Sequence, residues 1–149
     1  MSWTEYYSPK YEKKITLPQL IFKDADLFFW LYEENKFTGK LAAEAKDIYR
    51  KACSIRIPDS QEVEYDFYPK TGYFTGFELV PRSLPSHIGS TRTSRNSVLD
   101  MSIVRKRKQY DKMGYQMFIR RMKLYFFENK PLTKKKCEEF FENNDNFSI

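Results

Sequence analysis

Few side chains in this 149-residue sequence have the type and spacing for covalent chemistry. The single histidine, His87, stands between Ser86 and Ile88. A Ser-His-acid site needs an activated serine on a nucleophile elbow, and neither that motif nor a glycine-rich phosphate loop is present. Four acids, Glu62, Glu64, Asp66 and Glu78, invite comparison with a metal-dependent nuclease. Such a site needs carboxylates converging on a cation and, in the PD-(D/E)xK pattern, a lysine two residues past the glutamate. Leu79 and Val80 follow Glu78, so the pattern fails. The acids are expected to face solvent and balance the basic half of the chain. Cys53 and Cys137 belong to no CxxC pair, so reduced thiols are expected and a zinc site is not. The sequence therefore reads as non-catalytic, with no enzyme activity, cofactor or metal.

What remains is recognition chemistry. Residues 91–136 hold fourteen Lys and Arg against three acids, a formal charge of +11 that leaves −5 for the rest of a +6 chain. Aromatics interleave with these charges at Tyr110, Tyr115, Phe118, Tyr125, Phe126 and Phe127. Lys and Arg gain free energy by releasing counterions from phosphates, and nearby hydroxyls such as Thr91 and Ser94 add neutral hydrogen bonds. The residues assigned to a nucleic-acid surface are Arg92, Arg95, Arg105, Lys106, Arg107, Lys108, Lys112, Arg120, Lys123, Lys134, Lys135 and Lys136. Tyr6, Tyr7 and Tyr68 can stack on bases where they are exposed.

The elements that position these residues are legible in outline. Trp3, Tyr6, Tyr7 and Tyr11 suggest an N-terminal arm docked on the domain, or a short edge strand. Asp24 is placed to cap a helix that is apolar nearly all round and must be central. Residues 40–53 form the cleanest amphipathic pattern. Leu41, Ala45, Ile48, Tyr49 and Ala52 share one face, with Lys40, Glu44, Asp47 and Lys51 opposite and a Lys40–Glu44 pair one turn apart. Residues 62–80 read as a β-hairpin, with Pro69 and Gly72 supplying the turn. Residues 82–97 read as a flexible polar connection and residues 97–104 as a possible further strand. A helix over residues 110–127 is expected to be mostly buried, with Lys112, Gln116, Arg120 and Lys123 in one open stripe. Thr133 is placed to cap a last helix, followed by a short frayed tail.

The stretch from Ile15 to Trp30, with the amphipathic helix after it, resembles the C-terminal domain of exodeoxyribonuclease X-like proteins. It is similar also to the short family of quorum-sensing-regulated virulence factors. Leu17-Pro18, Asp24 and Trp30 match that pattern, over residues of about 11–55. The glycine-lysine start of those domains is absent, since Tyr11-Glu12-Lys13-Lys14 has no glycine. The resemblance implies an accessory module associated with nucleic-acid enzymes and no activity of its own.

The expected fold is a single α+β domain, with a small antiparallel sheet packed against aromatic-rich helices. The expected function is a non-catalytic accessory protein that binds DNA, RNA or a nucleoprotein complex through a basic C-terminal face. The alternative is a protein-interaction module: a phage or mobile-element factor, an inhibitor, or a subunit docking on a larger complex. No apolar run is long enough to cross a membrane and no secretory leader is apparent, so a cytoplasmic address is expected.

Overall fold

The structure, a computed structural model, describes residues 2–84 and 95–149. His87, Thr91, Arg92, Ser94 and most of the polar connection lie outside the described residues.

The N-terminal arm folds back on itself. Strands β1 (Glu5–Ser8) and β2 (Lys13–Thr16) pair antiparallel, with Glu5 opposite Thr16. The arm docks through Tyr6, whose ring meets Phe37 edge-on at 5.4 Å, and through Trp3, whose indole N–H donates to Glu142 at 2.7 Å. A helix absent from the sequence reading follows, α1 (Leu17–Lys23). Pro18 sits in its first turn, where a missing N–H breaks no bond. Helix α2 (Ala25–Glu33) begins at Asp24 as expected, whose carboxylate accepts the Leu27 N–H at 3.1 Å. Helix α3 (Lys40–Ala52) follows, then β3 (Ile55–Arg56), the hairpin β4 (Gln61–Phe67) and β5 (Phe74–Pro81), and β6 (Val98–Leu99). Helices α4 (Ile103–Arg107), α5 (Lys112–Phe126) and α6 (Lys134–Glu142) and a 3-10 turn over Asn144–Asn146 complete the chain. Among the described residues the strands form three separate two-stranded antiparallel pairs, β1 with β2, β3 with β6 and β4 with β5. The fold is α+β, as expected.

Aromatic rings fill the interior in three groups. Phe67, Phe74, Phe77 and Phe118 join the hairpin to α5, with Phe77 and Phe118 4.9 Å apart. Phe22, Phe127, Phe140, Phe141 and Phe147 join α1, the end of α5, α6 and the tail. In the third, Phe29 of α2 stacks on Tyr115 of α5 at 5.7 Å and meets Phe28 and Tyr49 edge-on. Helix α5 is thus held by the hairpin on one side and by α2 on another.

Five expectations need correction. Residues 97–104 yield only the two-residue β6, paired with β3, because Asp100 turns the chain: its carboxylate accepts both the N–H and the hydroxyl of Ser102, at 2.8 and 2.7 Å. Such a side-chain turn competes with a strand ladder. Helix α5 is less buried than its composition suggests, since among the described residues the hairpin and α2 leave part of its surface uncovered. Gly114, Tyr115, Phe118 and Met122 face inward, while Met113, Leu124 and Tyr125 are exposed. Lys51 belongs to the interior and not to the open face of α3. Its ammonium donates to the Phe141 carbonyl at 2.9 Å and pairs with Asp47 at 3.2 Å. Glu44 accepts from the Thr4 hydroxyl at 2.8 Å in place of the expected Lys40 pair. The tail is docked and not frayed: Phe147 is buried, bridges to Ile55, and the Ser148 N–H donates to the Ser54 carbonyl at 2.8 Å.

Candidate functional site

Three exposed tyrosines and part of the assigned basic set meet where the hairpin turn reaches the junction of α4 and α5. In the turn, the Tyr68 N–H donates to the Tyr73 carbonyl at 2.8 Å and the Gly72 N–H to the Tyr68 carbonyl at 2.9 Å. Gly72 has φ of +78°, and a Cβ there would lie 3.3 Å from the Arg107 carbonyl oxygen. Glycine therefore serves both the turn and the close approach of α4.

Asp111 fixes the other wall. One carboxylate oxygen caps α5 by accepting the Gly114 N–H at 2.8 Å, and the other accepts the Phe74 N–H of β5 at 2.7 Å. The side chain of Asp111 fills the space a Cβ on Gly114 would take, 2.2 Å from that ideal position. Just before it, Tyr110 adopts the left-handed region at φ +59°. That conformation costs an L residue about 1–2 kcal/mol. It coincides with a ring that is 58% exposed to solvent and lies 5.4 Å from the Arg105 guanidinium.

Between these walls runs a groove of about 580 Å³, lined by Tyr68, Tyr73, Tyr110, Lys112, Met113 and Met117 among others. Tyr68 is 59% exposed, Tyr73 41% and Met113 75%. Three tyrosines and a methionine left this open on one surface are not explained by core packing.

The basic run at residues 105–108 divides in two. Arg105 turns inward. Its guanidinium takes Glu33 at 2.7 and 3.0 Å and Asp26 at 2.8 Å, with 4% of the side chain exposed. Burial opposes its charge, but Glu33 and Asp26 outweigh burial and hold its pKa above the ordinary arginine value. Arg105 is thus a structural ion pair and no longer belongs with the phosphate-contacting residues. Arg95 is turned inward as well: it meets Glu64 at 2.6 Å, approaches Glu62 at 3.9 Å and donates to the carbonyls of Pro81 and Leu84. Glu64, expected to face solvent, is buried in that pairing. Arg107 and Lys108, by contrast, are exposed, and lie 5.0 Å over the Phe67 ring and 5.1 Å over the Tyr73 ring. Lys106 is exposed and pairs with Asp100 at 3.1 Å.

Further along, Arg120 is exposed and Lys123 half-buried on α5. Lys134, Lys135 and Lys136 open α6, where Thr133 caps the helix by accepting the Lys136 N–H at 3.2 Å. The structure does not put Lys134–Lys136 in the groove; they lie beyond the opposite end of α5. Two smaller hollows lie on the intervening surface. One of about 190 Å³ is bordered by Lys112 and Lys23, with Asp24, Asp26 and Tyr115. The next, of about 270 Å³, is bordered by Lys23, Lys13 and Lys134.

Compared with family models, curated proteins and solved structures, the chain has no match.

The residues carrying the resemblance noted above have structural places: Leu17 and Pro18 open α1, Asp24 caps α2, and Trp30 is half-buried on α2. Sequence reasoning missed Tyr73 and Met113 of the groove, and Lys13 and Lys23 of the hollows. No local signal marks Lys23 as part of a basic surface, because its partners come from α5 and α6.

Proposed function

We propose that the protein is a non-catalytic nucleic-acid-binding accessory protein. One observation carries this reading: the outward cation Lys112 lines the same groove as the exposed rings of Tyr68, Tyr73 and Tyr110, Lys108 lies over Tyr73, and Arg107 stands next to them over Phe67. Cations that neutralise phosphates beside flat rings that take bases are the two components of sequence-tolerant nucleic-acid binding. The formal +11 of residues 91–136 supports it further, and +9 remains after Arg95 and Arg105 are withdrawn to internal pairs.

The test is a fluorescence-anisotropy titration with short single- and double-stranded DNA and RNA at two salt concentrations. Binding that weakens steeply with salt is the expected result. Absence of binding to every oligonucleotide at low salt overturns the reading.

A second reading rests on Met113 and Met117. Flexible thioethers in an open groove also suit an apolar peptide segment. That reading expects a stoichiometric protein partner that co-purifies after nuclease treatment, and no salt-dependent binding of oligonucleotides.

A further inference from the structure

We infer that the groove and the two hollows beside it form one track for a single strand of nucleic acid, with unpaired bases on the tyrosines and phosphates along the lysines. This rests on the nucleic-acid reading above and specifies its ligand. A duplex hides the faces of its bases in the stack, so exposed tyrosine rings gain most from a strand whose bases are unpaired.

The continuity comes from shared residues. Lys112 borders both the tyrosine groove and the first hollow. Lys23 borders both the first hollow and the second, and Lys13 and Lys134 border the second. The hollows therefore follow one another with a lysine at each junction, as a backbone of repeating phosphates requires. Two acids line the middle hollow, and both are engaged. Asp24 is held by Lys10 at 2.6 Å and the Tyr11 hydroxyl at 2.7 Å, and Asp26 by Arg105 at 2.8 Å. Lys10 thus offsets the charge of Asp24, while Asp26 shares the single charge of Arg105 with Glu33.

Arg105, anchored on α2, lies over the Tyr110 ring, and Asp111 fixes the backbone beside it.

The experiment compares a twelve-nucleotide oligothymidylate, the matching duplex, an RNA strand and an abasic strand of the same length, all at low salt. The oligothymidylate is expected to bind about a hundredfold more tightly than the abasic strand, which loses the stacking on both Tyr68 and Tyr110. Tyr68→Ala and Tyr110→Ala are each expected to lose about tenfold on the oligothymidylate, with Tyr68→Phe and Tyr110→Phe close to the wild type. Neither alanine variant should change binding of the abasic strand, which also reports that the variant is folded. Lys23→Gln is expected to weaken binding of both strands and to make the salt slope shallower by about 0.7. Equal binding of abasic and base-bearing strands, or of duplex and single strand with no effect of the tyrosine changes, overturns the single-strand track and leaves the broader polyanion reading standing. Absence of binding to all four overturns both.

Discussion

The Asp111 carboxylate accepts the Phe74 N–H at 2.7 Å, joining the start of α5 to the first residue of β5. Its second oxygen caps the helix at Gly114, 2.8 Å away, so one buried side chain sets the angle between the two walls of the tyrosine groove. Removing it leaves two buried N–H groups unpaired.

Asp111→Ala is therefore expected to destabilise the fold by about 2–4 kcal/mol, measured by urea denaturation. Gly114→Ala provides a comparison of sign. In an ordinary helix interior this change stabilises by about 1 kcal/mol. Here the new Cβ would fall 2.2 Å from an oxygen of Asp111, which is held by two backbone bonds and cannot swing aside cheaply. A loss of stability is expected, and a gain would show that the cap is not formed as described.

Neighbours in the basic run are expected to part company. Arg105→Ala leaves Asp26 and Glu33 without their partner. Because the Glu33 side chain is 44% exposed and so partly solvated, the cost is about 1–3 kcal/mol, less than for a fully buried pair. Lys108→Ala, on an exposed side chain, should change stability by less than about 0.5 kcal/mol. Thermal melts of the two variants check this, and equal effects would contradict the division of the run.

Asp24 makes stability depend on acid. Burial alone would raise its pKa, but hydrogen bonds from Lys10, Tyr11 and the Leu27 amide outweigh burial and hold it below the usual aspartate value. A group depressed in the folded state adds stability above its unfolded pKa of about 3.9, and that stability is lost as pH falls through the folded value. Asp24→Asn is expected to be less stable at neutral pH and to show a smaller further loss below about pH 4. Parallel acid-denaturation curves for the two proteins would contradict it.

Tyr115 is expected to respond in the opposite direction. Its hydroxyl is buried and has no hydrogen-bond partner among the described residues, and burial pushes its pKa well above the ordinary tyrosine value. Tyr115→Phe removes a desolvated group and keeps the ring on Phe29, so it should be neutral or stabilising by up to about 1 kcal/mol. A loss of more than that, by urea denaturation, would mean that the hydroxyl has a partner.

The sequence made local structure legible and distant pairing much less so. Asp24 and Thr133 as caps, Gly72 in the turn and the apolar face of α3 are statements about neighbours in the chain and stand, while the polar face of α3 does not, since Lys51 turns inward and Glu44 pairs with Thr4. The inward turn of Arg95 and Arg105 was not legible, because a run of cations reads alike whether its acids are across the fold or absent. Their partners, Glu64 for one and Asp26 and Glu33 for the other, come from different elements. The exposed face of α5 was misread for a related reason. Apolar composition marks which residues can be buried, while Met113 is open because no element among the described residues covers it. The tyrosine groove draws on residues 68–75 and 110–117, which are brought together by tertiary contacts, among them the Asp111 bridge and the ring contact of Phe74 with Phe118.

The account turns on Arg107, Lys108 and Lys112 contacting phosphates, and the salt dependence of binding tests that most directly. Affinity for a twelve-nucleotide single strand would be measured across a salt series for the wild type and for the triple variant Arg107→Gln, Lys108→Gln, Lys112→Gln. The expected result is weaker binding with a slope of log affinity against log salt shallower by about 2, from three lost contacts at roughly 0.7 each. An unchanged slope with unchanged affinity, or no binding by the wild type at low salt, would contradict it.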